Sequence, residues 1–247
     1  MGVKRDFFIS NGHINLSNNT IKKFNQAIKK RINREPVAYI IGKKEFWSQD
    51  FVVNQATLVP RPETELLIYK VVDFFKNKRI NVLDIGTGSG CILLSILKEL
   101  DFSRGVGIDI STKAIKTAQI NSKNLNLFHQ SKFKVFDISK FNVGKYDLIV
   151  SNPPYIPSKD IKNLSDDIKR HEPRIALDGG NDGLDVIKKV IYKSRSILKV
   201  KGTLALEIGN EQFKKVSKIL RNNKFKARYL VRDYQENIRC ILSTLEN

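Results

Sequence analysis

The run Ser151-Asn152-Pro153-Pro154-Tyr155 combines residue types suited to holding a planar nitrogen. Two consecutive prolines fix φ and remove two N–H donors. The carbonyls of this stretch are then left as acceptors, and the Asn152 side-chain oxygen adds another. An amide or aromatic amino nitrogen is a poor nucleophile, because its lone pair is delocalised. Two fixed acceptors can hold both of its N–H bonds and aim the lone pair at an electrophile. This is catalysis by orientation and local electrostatics, without a strong base. Tyr155 can stack on the planar group and favour nearby positive charge. The plainer alternative is that Pro153-Pro154 simply ends a strand.

A second run, Asp84-Ile85-Gly86-Thr87-Gly88-Ser89-Gly90, supplies the other half of a reaction. Glycines let the backbone turn tightly and approach a ligand closely. A helix opening after them offers free N–H groups to a carboxylate. Asp109 stands about 20 residues past the loop, where an acidic side chain can accept hydrogen bonds from ribose hydroxyls. Asp137, with Ile138 beside it, stands where such folds contact an adenine ring. A dinucleotide site would prefer Gly-x-Gly-x-x-Gly, and Cys91 occupies the place of that third glycine. The tighter Gly-x-Gly-x-Gly resembles the first motif of S-adenosylmethionine methyltransferases.

Both runs need strands to present them. Asn81–Ile85, Gly105–Asp109, Phe133–Phe136, Tyr146–Val150 and Thr203–Ile208 read as short buried strands. Helical patterns over Glu63–Phe75, Cys91–Glu99, Thr112–Asn121, Gly183–Leu198 and Glu211–Leu220 alternate with them. Such alternation predicts a mostly parallel, doubly wound α/β sheet. The last two strands, Ala227–Val231 and Ile238–Leu242, have no helix between them, so one should run antiparallel. This is the arrangement of class I methyltransferases, a Rossmann-like sheet of seven strands. Ahead of it, a helix is expected over Thr20–Arg34, capped within Ser17–Asn19 and ended by Pro36. Tyr39–Ile41 and Phe51–Val53 read as the arms of a β-hairpin around Trp47. The expected division is a short helical segment over 1–36, a hairpin linker over 37–59 and the methyltransferase domain over 60–247.

The bulk properties narrow the class. The chain has 247 residues, 41% of them apolar, so wholesale disorder is excluded. No apolar run approaches the roughly 18 residues needed to cross a bilayer, and residues 1–6 offer no signal peptide. Cys91 and Cys240 are far apart, and His13, His129 and His171 are scattered, so neither a disulfide framework nor a metal site is expected. A cytoplasmic protein is the expectation. The formal charge of +19 is dispersed in pairs such as Lys22-Lys23 and Lys214-Lys215, so it does not by itself require a nucleic-acid partner.

The chain resembles the release-factor glutamine methyltransferases, the HemK-like family. The likeness begins with Arg34-Glu35-Pro36-Val37-Ala38-Tyr39-Ile40-Ile41-Gly42 and Glu45-Phe46-Trp47. It runs on through Val59-Pro60-Arg61-Pro62-Glu63-Thr64-Glu65, the glycine loop and Asn152-Pro153-Pro154-Tyr155. It closes with Glu172-Pro173, Ala176-Leu177-Asp178-Gly179-Gly180, Asp182-Gly183-Leu184 and Leu206-Glu207-Ile208-Gly209. Several blocks in order are far more specific than either short motif.

The resemblance implies N5-methylation, from S-adenosylmethionine, of the glutamine in the Gly-Gly-Gln motif of class 1 peptide-chain release factors. It implies that Gly86, Thr87, Gly88, Ser89, Gly90, Asp109 and Asn152 bind the cofactor. Asn152, Pro153, Pro154 and Tyr155 would hold the glutamine, with Arg61 on a loop at the rim. The competing readings are a DNA or RNA amino-methyltransferase, a ribosomal-protein glutamine methyltransferase and a non-enzymatic nucleic-acid-binding protein. The intact Pro-Arg-Pro-Glu-Thr-Glu run favours release factors. The family usually carries a fuller N-terminal helical domain, and Ile138 stands where some members have an aromatic residue.

Overall fold

Pro36 starts a helix rather than only ending one. The computed structural model describes residues 5–246, and its chain opens with helices α1 (Arg5–Ser10) and α2 (Asn18–Ile32). The Ser17 hydroxyl caps α2 by accepting from the Thr20 N–H at 3.3 Å. The apolar stripe Ile21, Phe24, Ile28 and Ile32 lies exposed along it. Val37–Ile41 then forms a short helix, α3, that ends at Gly42 in the left-handed region. The expectation of a strand over Tyr39–Ile41 is therefore corrected. Proline fixes φ and lacks an N–H, which suits a helix start.

The hairpin itself is β1 (Lys43–Phe46) and β2 (Gln49–Val52), closed by Trp47 and Ser48. Both turn residues have positive φ, 50° and 55°, the geometry that matches the twist of a two-residue hairpin.

The remaining elements build one sheet with helices on both faces. Its strands are β3 (Asn81–Ile85), β4 (Arg104–Asp109), β5 (Ser131–Val135), β6 (Tyr146–Ser151), β7 (Leu198–Glu207), β8 (Phe225–Arg232) and β9 (Ile238–Leu245). The order across the sheet is β5-β4-β3-β6-β7-β9-β8. All pairings are parallel except those of β9, which runs antiparallel to both neighbours. The helices are α4 (Pro62–Phe75), α5 (Cys91–Glu99), α6 (Thr112–Asn124), α7 (Asp166–His171), α8 (Asp185–Ile197) and α9 (Phe213–Asn222).

Side chains alternate across the strands and feed two cores. Val82, Leu148 and Val150 face α4 and α5, packing with Leu67, Val71, Leu93 and Leu97. Leu83, Ile149 and Leu204 face α8 and α9, packing with Ile187, Val190, Val216 and Leu220. The strand order reverses between β3 and β6, which opens a crevice beyond their carboxyl ends. Both chemical loops sit there.

Candidate active site

The cleft at this crevice encloses about 280 Å³. On one side stands the glycine loop. Gly86, Gly88 and Gly90 all adopt left-handed φ, at 73°, 55° and 81°. A β carbon built on Gly86 would meet nothing within 4 Å, so the backbone there faces open space. Gly90 differs. A β carbon there would sit 3.2 Å from Ala118, Leu94 and Phe133. Gly86, Thr87, Gly88 and Ser89 line the cleft, whereas Gly90 stands behind it as the N-cap of α5.

Carboxylates brace this loop. The Asp109 Oδ2 accepts from the Gly88 N–H at 3.0 Å and its Oδ1 from the Ser111 N–H at 2.9 Å. Burial raises the Asp109 carboxyl above its ordinary range, with the two amides pulling the other way. Asp84 lies fully buried beneath and accepts from the Thr87 hydroxyl at 2.6 Å. Its other oxygen has no partner among the described residues, and burial pushes the carboxyl up to about 7. Asp137 also lines the cleft and accepts from the Ser139 N–H at 2.8 Å, which holds its carboxyl below the usual range. Ile138 continues the wall with Ile110, Phe136, Val186 and Val190, making an apolar slot.

Across the slot stand Asn152, Pro153 and Pro154, with Arg61 at the rim. The Asn152 Nδ2 donates to the Thr64 hydroxyl at 3.3 Å, and Thr64 donates to the Glu207 Oε2 at 2.7 Å. Among the described residues, no hydrogen bond is made to the carbonyls of Pro153 and Pro154. The loop is clamped from behind: the Tyr155 carbonyl accepts from the Gln212 Nε2 at 2.9 Å. Gly179 packs close by, where a β carbon would come within 2.8 Å of the Pro154 carbonyl.

Tyr155 does not line the cleft. Its hydroxyl points toward the Glu207 Oε1 at 3.4 Å, and its ring lies against Gly209. Burial, followed by the neighbouring Glu207 charge, pushes its phenol above the ordinary value.

Four residues escaped the motif reading. Thr64 and Glu207 lie in the quoted blocks but carry no motif signal of their own. Glu172 is buried, pairs with the Arg61 guanidinium and accepts from the Val59 N–H at 3.2 Å, so it anchors the rim. Asn121 is buried mid-helix in α6. Its amide accepts from the Val52 N–H at 2.7 Å and donates to the Val52 and Ser89 carbonyls at 3.0 and 2.8 Å. It thereby ties the hairpin to the glycine loop. A buried-length side chain inside a helix gives no sequence signal for such a role. Among the described residues, no cluster of His, Cys, Asp or Glu could hold a metal ion.

Comparison with known proteins places this arrangement. Residues 76–241 match the Methyltransferase domain family, and residues 1–42 match the PrmC N-terminal domain family. A release factor glutamine methyltransferase of Caulobacter vibrioides is 39% identical over 222 residues, 89% of this chain and 77% of its own length. A protein of the same name from Clostridium acetobutylicum is 37% identical over 247 residues, 98% of this chain and 87% of its own length. Among solved structures, a methyltransferase from Pyrococcus furiosus superposes with a TM-score of 0.62 at 14% identity, covering 94% of this chain and 100% of its own. That likeness supports the fold. The relatives reach further, and the chain belongs to the release factor glutamine methyltransferase family.

Proposed function

We propose that this protein transfers a methyl group from S-adenosylmethionine to the side-chain amide nitrogen of the glutamine in the Gly-Gly-Gln motif of class 1 peptide-chain release factors. Family membership supplies the reaction, and one observation carries its chemistry. The Asn152 side chain and the carbonyl-bearing Pro153-Pro154 stretch line the same cleft as the open glycine loop.

The residues fit the methyl donor. Gly86 leaves backbone exposed for close approach, and the apolar slot by Ile110, Phe136 and Ile138 suits a purine ring. Asp109 would accept from the ribose hydroxyls, each of its oxygens retaining a lone pair beyond its amide bond. Asp137 would serve the adenine edge. When bound, S-adenosylmethionine supplies a methyl group on a positively charged sulfur. Asn152 Oδ1 and the Pro153 carbonyl would hold the two N–H bonds of the glutamine amide, fixing its orientation. Pro154 shapes the loop, and Arg61 with Glu172 frames the entrance. Tyr155 would act from behind this loop, or reach the amide by a rotation of its side chain.

The division proposed is residues 1–36 and 37–59 as the substrate-facing portion and 60–247 as the domain that carries the chemistry. The partner is a protein, and no nucleic-acid contact is required. The names of the relatives weigh against nucleic-acid amino groups as acceptors. Among the described residues no helix is long and apolar enough to cross a membrane, and we place the protein with its substrate in the cytoplasm. The direct test is incubation with labelled cofactor and a release factor. Label on the Gly-Gly-Gln glutamine is expected. An active cofactor site that leaves this glutamine unlabelled would sink the reading.

A further inference from the structure

A side-chain amide presents an acceptor at one end and a donor at the other. Holding a substrate N–H needs the Asn152 oxygen toward the cleft, yet the Asn-Pro-Pro-Tyr loop contains nothing that selects this orientation. The selecting groups lie elsewhere. Asn152 Nδ2 donates to Thr64 on α4, and Thr64 donates to Glu207 at the end of β7. Glu207 is buried, and its second oxygen receives the Tyr155 hydroxyl.

We propose that Glu207 is a positioning residue for methyl transfer, which acts through Thr64 to set which end of the Asn152 amide faces the cleft. This rests on the reading of Asn152 as the holder of the substrate amide. An ionised carboxylate can only accept. It therefore claims the single Thr64 proton, and the Thr64 oxygen is left to accept from Asn152 Nδ2. The Asn152 oxygen must then point away from Thr64. A protonated Glu207 could donate to Thr64 instead. Thr64 would then be free to donate to the Asn152 oxygen, and the amide would turn over.

Burial pushes the Glu207 carboxyl up to about 7, so both states lie near neutral pH. The groups around it are Glu63 on α4, which raises it, and Arg239 on β9, which lowers it. Tyr155 and the thiols of Cys240 and Cys91 also face it. Burial raises all three above their ordinary values, so they stay uncharged here.

The test is steady-state turnover on a release factor between pH 5.5 and 8.5, roughly spanning the carboxyl transition. Wild type, Thr64→Val, Thr64→Ser, Glu207→Gln and Asn152→Ala are compared, with cofactor affinity of each measured by calorimetry. Thr64→Val should lower kcat about 10-fold with cofactor affinity retained, and Thr64→Ser should restore it. Wild-type kcat should fall as pH drops through about 7, and Glu207→Gln should abolish that limb. Normal kcat in folded Thr64→Val, or an acidic limb that survives in Glu207→Gln, overturns the inference. Thr64→Val placed in the Asn152→Ala background should cost nothing more. Failure of the parent reading looks different: Asn152→Ala itself would then turn over normally.

Discussion

At Asn152 a single side chain is asked to orient an amide that reacts poorly by itself. Asn152→Ala should cut kcat on the order of 10², because the lost bond matters most at the transition state. Single-turnover assays read this directly, and near-normal turnover would remove the role. Asp109 is expected to act on cofactor binding. Asp109→Ala should weaken cofactor affinity by roughly 10-fold or more, on the scale of a charge-assisted hydrogen bond. Titration calorimetry that shows unchanged affinity would end the ribose assignment. Asp109 also braces Gly88, so its loss loosens the loop as well. Both positions were legible in the sequence, because Asp109 ends β4 and Asn152 directly follows β6, where the cleft opens. Tyr155 was legible as a residue type but not in its direction. Gly209 and Glu207 lie about 50 residues further along the chain, and packing against them turns the ring from the cleft.

Among the elements, the hairpin shows what local pattern can and cannot reveal. Its existence follows from apolar runs around Trp47, but its bounds do not. Pro36 and Gly42 convert the expected first arm into α3, and positive φ at Trp47 and Ser48 sets the register. Its attachment rests on Asn121. Asn121→Ala would leave the Val52 N–H and two carbonyls short of a partner, at a cost of about 2 kcal/mol. Thermal unfolding should then occur roughly 4–8 °C lower for a domain of this size. The same variant should bind cofactor more weakly, because the Ser89 carbonyl loses its anchor. An unchanged melting temperature would show that the tie is not structural. The sheet strands were the most readable elements. Runs such as Val82-Leu83-Asp84-Ile85 are buried on both faces and need no partner to be recognised.

For the molecule as a whole, two buried carboxyls shape the response to pH. Asp84 and Glu207 are both pushed up to about 7 by burial. In the unfolded chain they titrate near 4. Between these limits the folded protein binds more protons than the unfolded one, so their effect on stability worsens as pH rises from about 4 to 7. Glu207→Gln removes one such group. Its unfolding free energy relative to wild type, read from denaturant melts, should therefore rise between pH 5 and pH 8 by an amount on the order of 2 kcal/mol. Equal differences at both pH values would contradict a buried, raised carboxyl. Higher stability joined to lower turnover would be the trade expected of a functional buried charge.

The order of strands and helices, the two chemical loops and the family blocks could all be read along the chain. Hydrophobic period and turn chemistry are local properties, and each of these features spans few residues. The helix stripe of α2 was read in the same way, although its apolar face is exposed in the fold. The relay from Glu207 through Thr64 to Asn152, the Arg61 and Glu172 pair and the Asn121 tie could not be read. They join positions 32 to 143 residues apart along the chain. Only packing α4 against the carboxyl ends of β6 and β7 decides which polar atoms share a buried proton. The Asn-Pro-Pro-Tyr loop supplies acceptors wherever it occurs, and the fold around it decides which way they point.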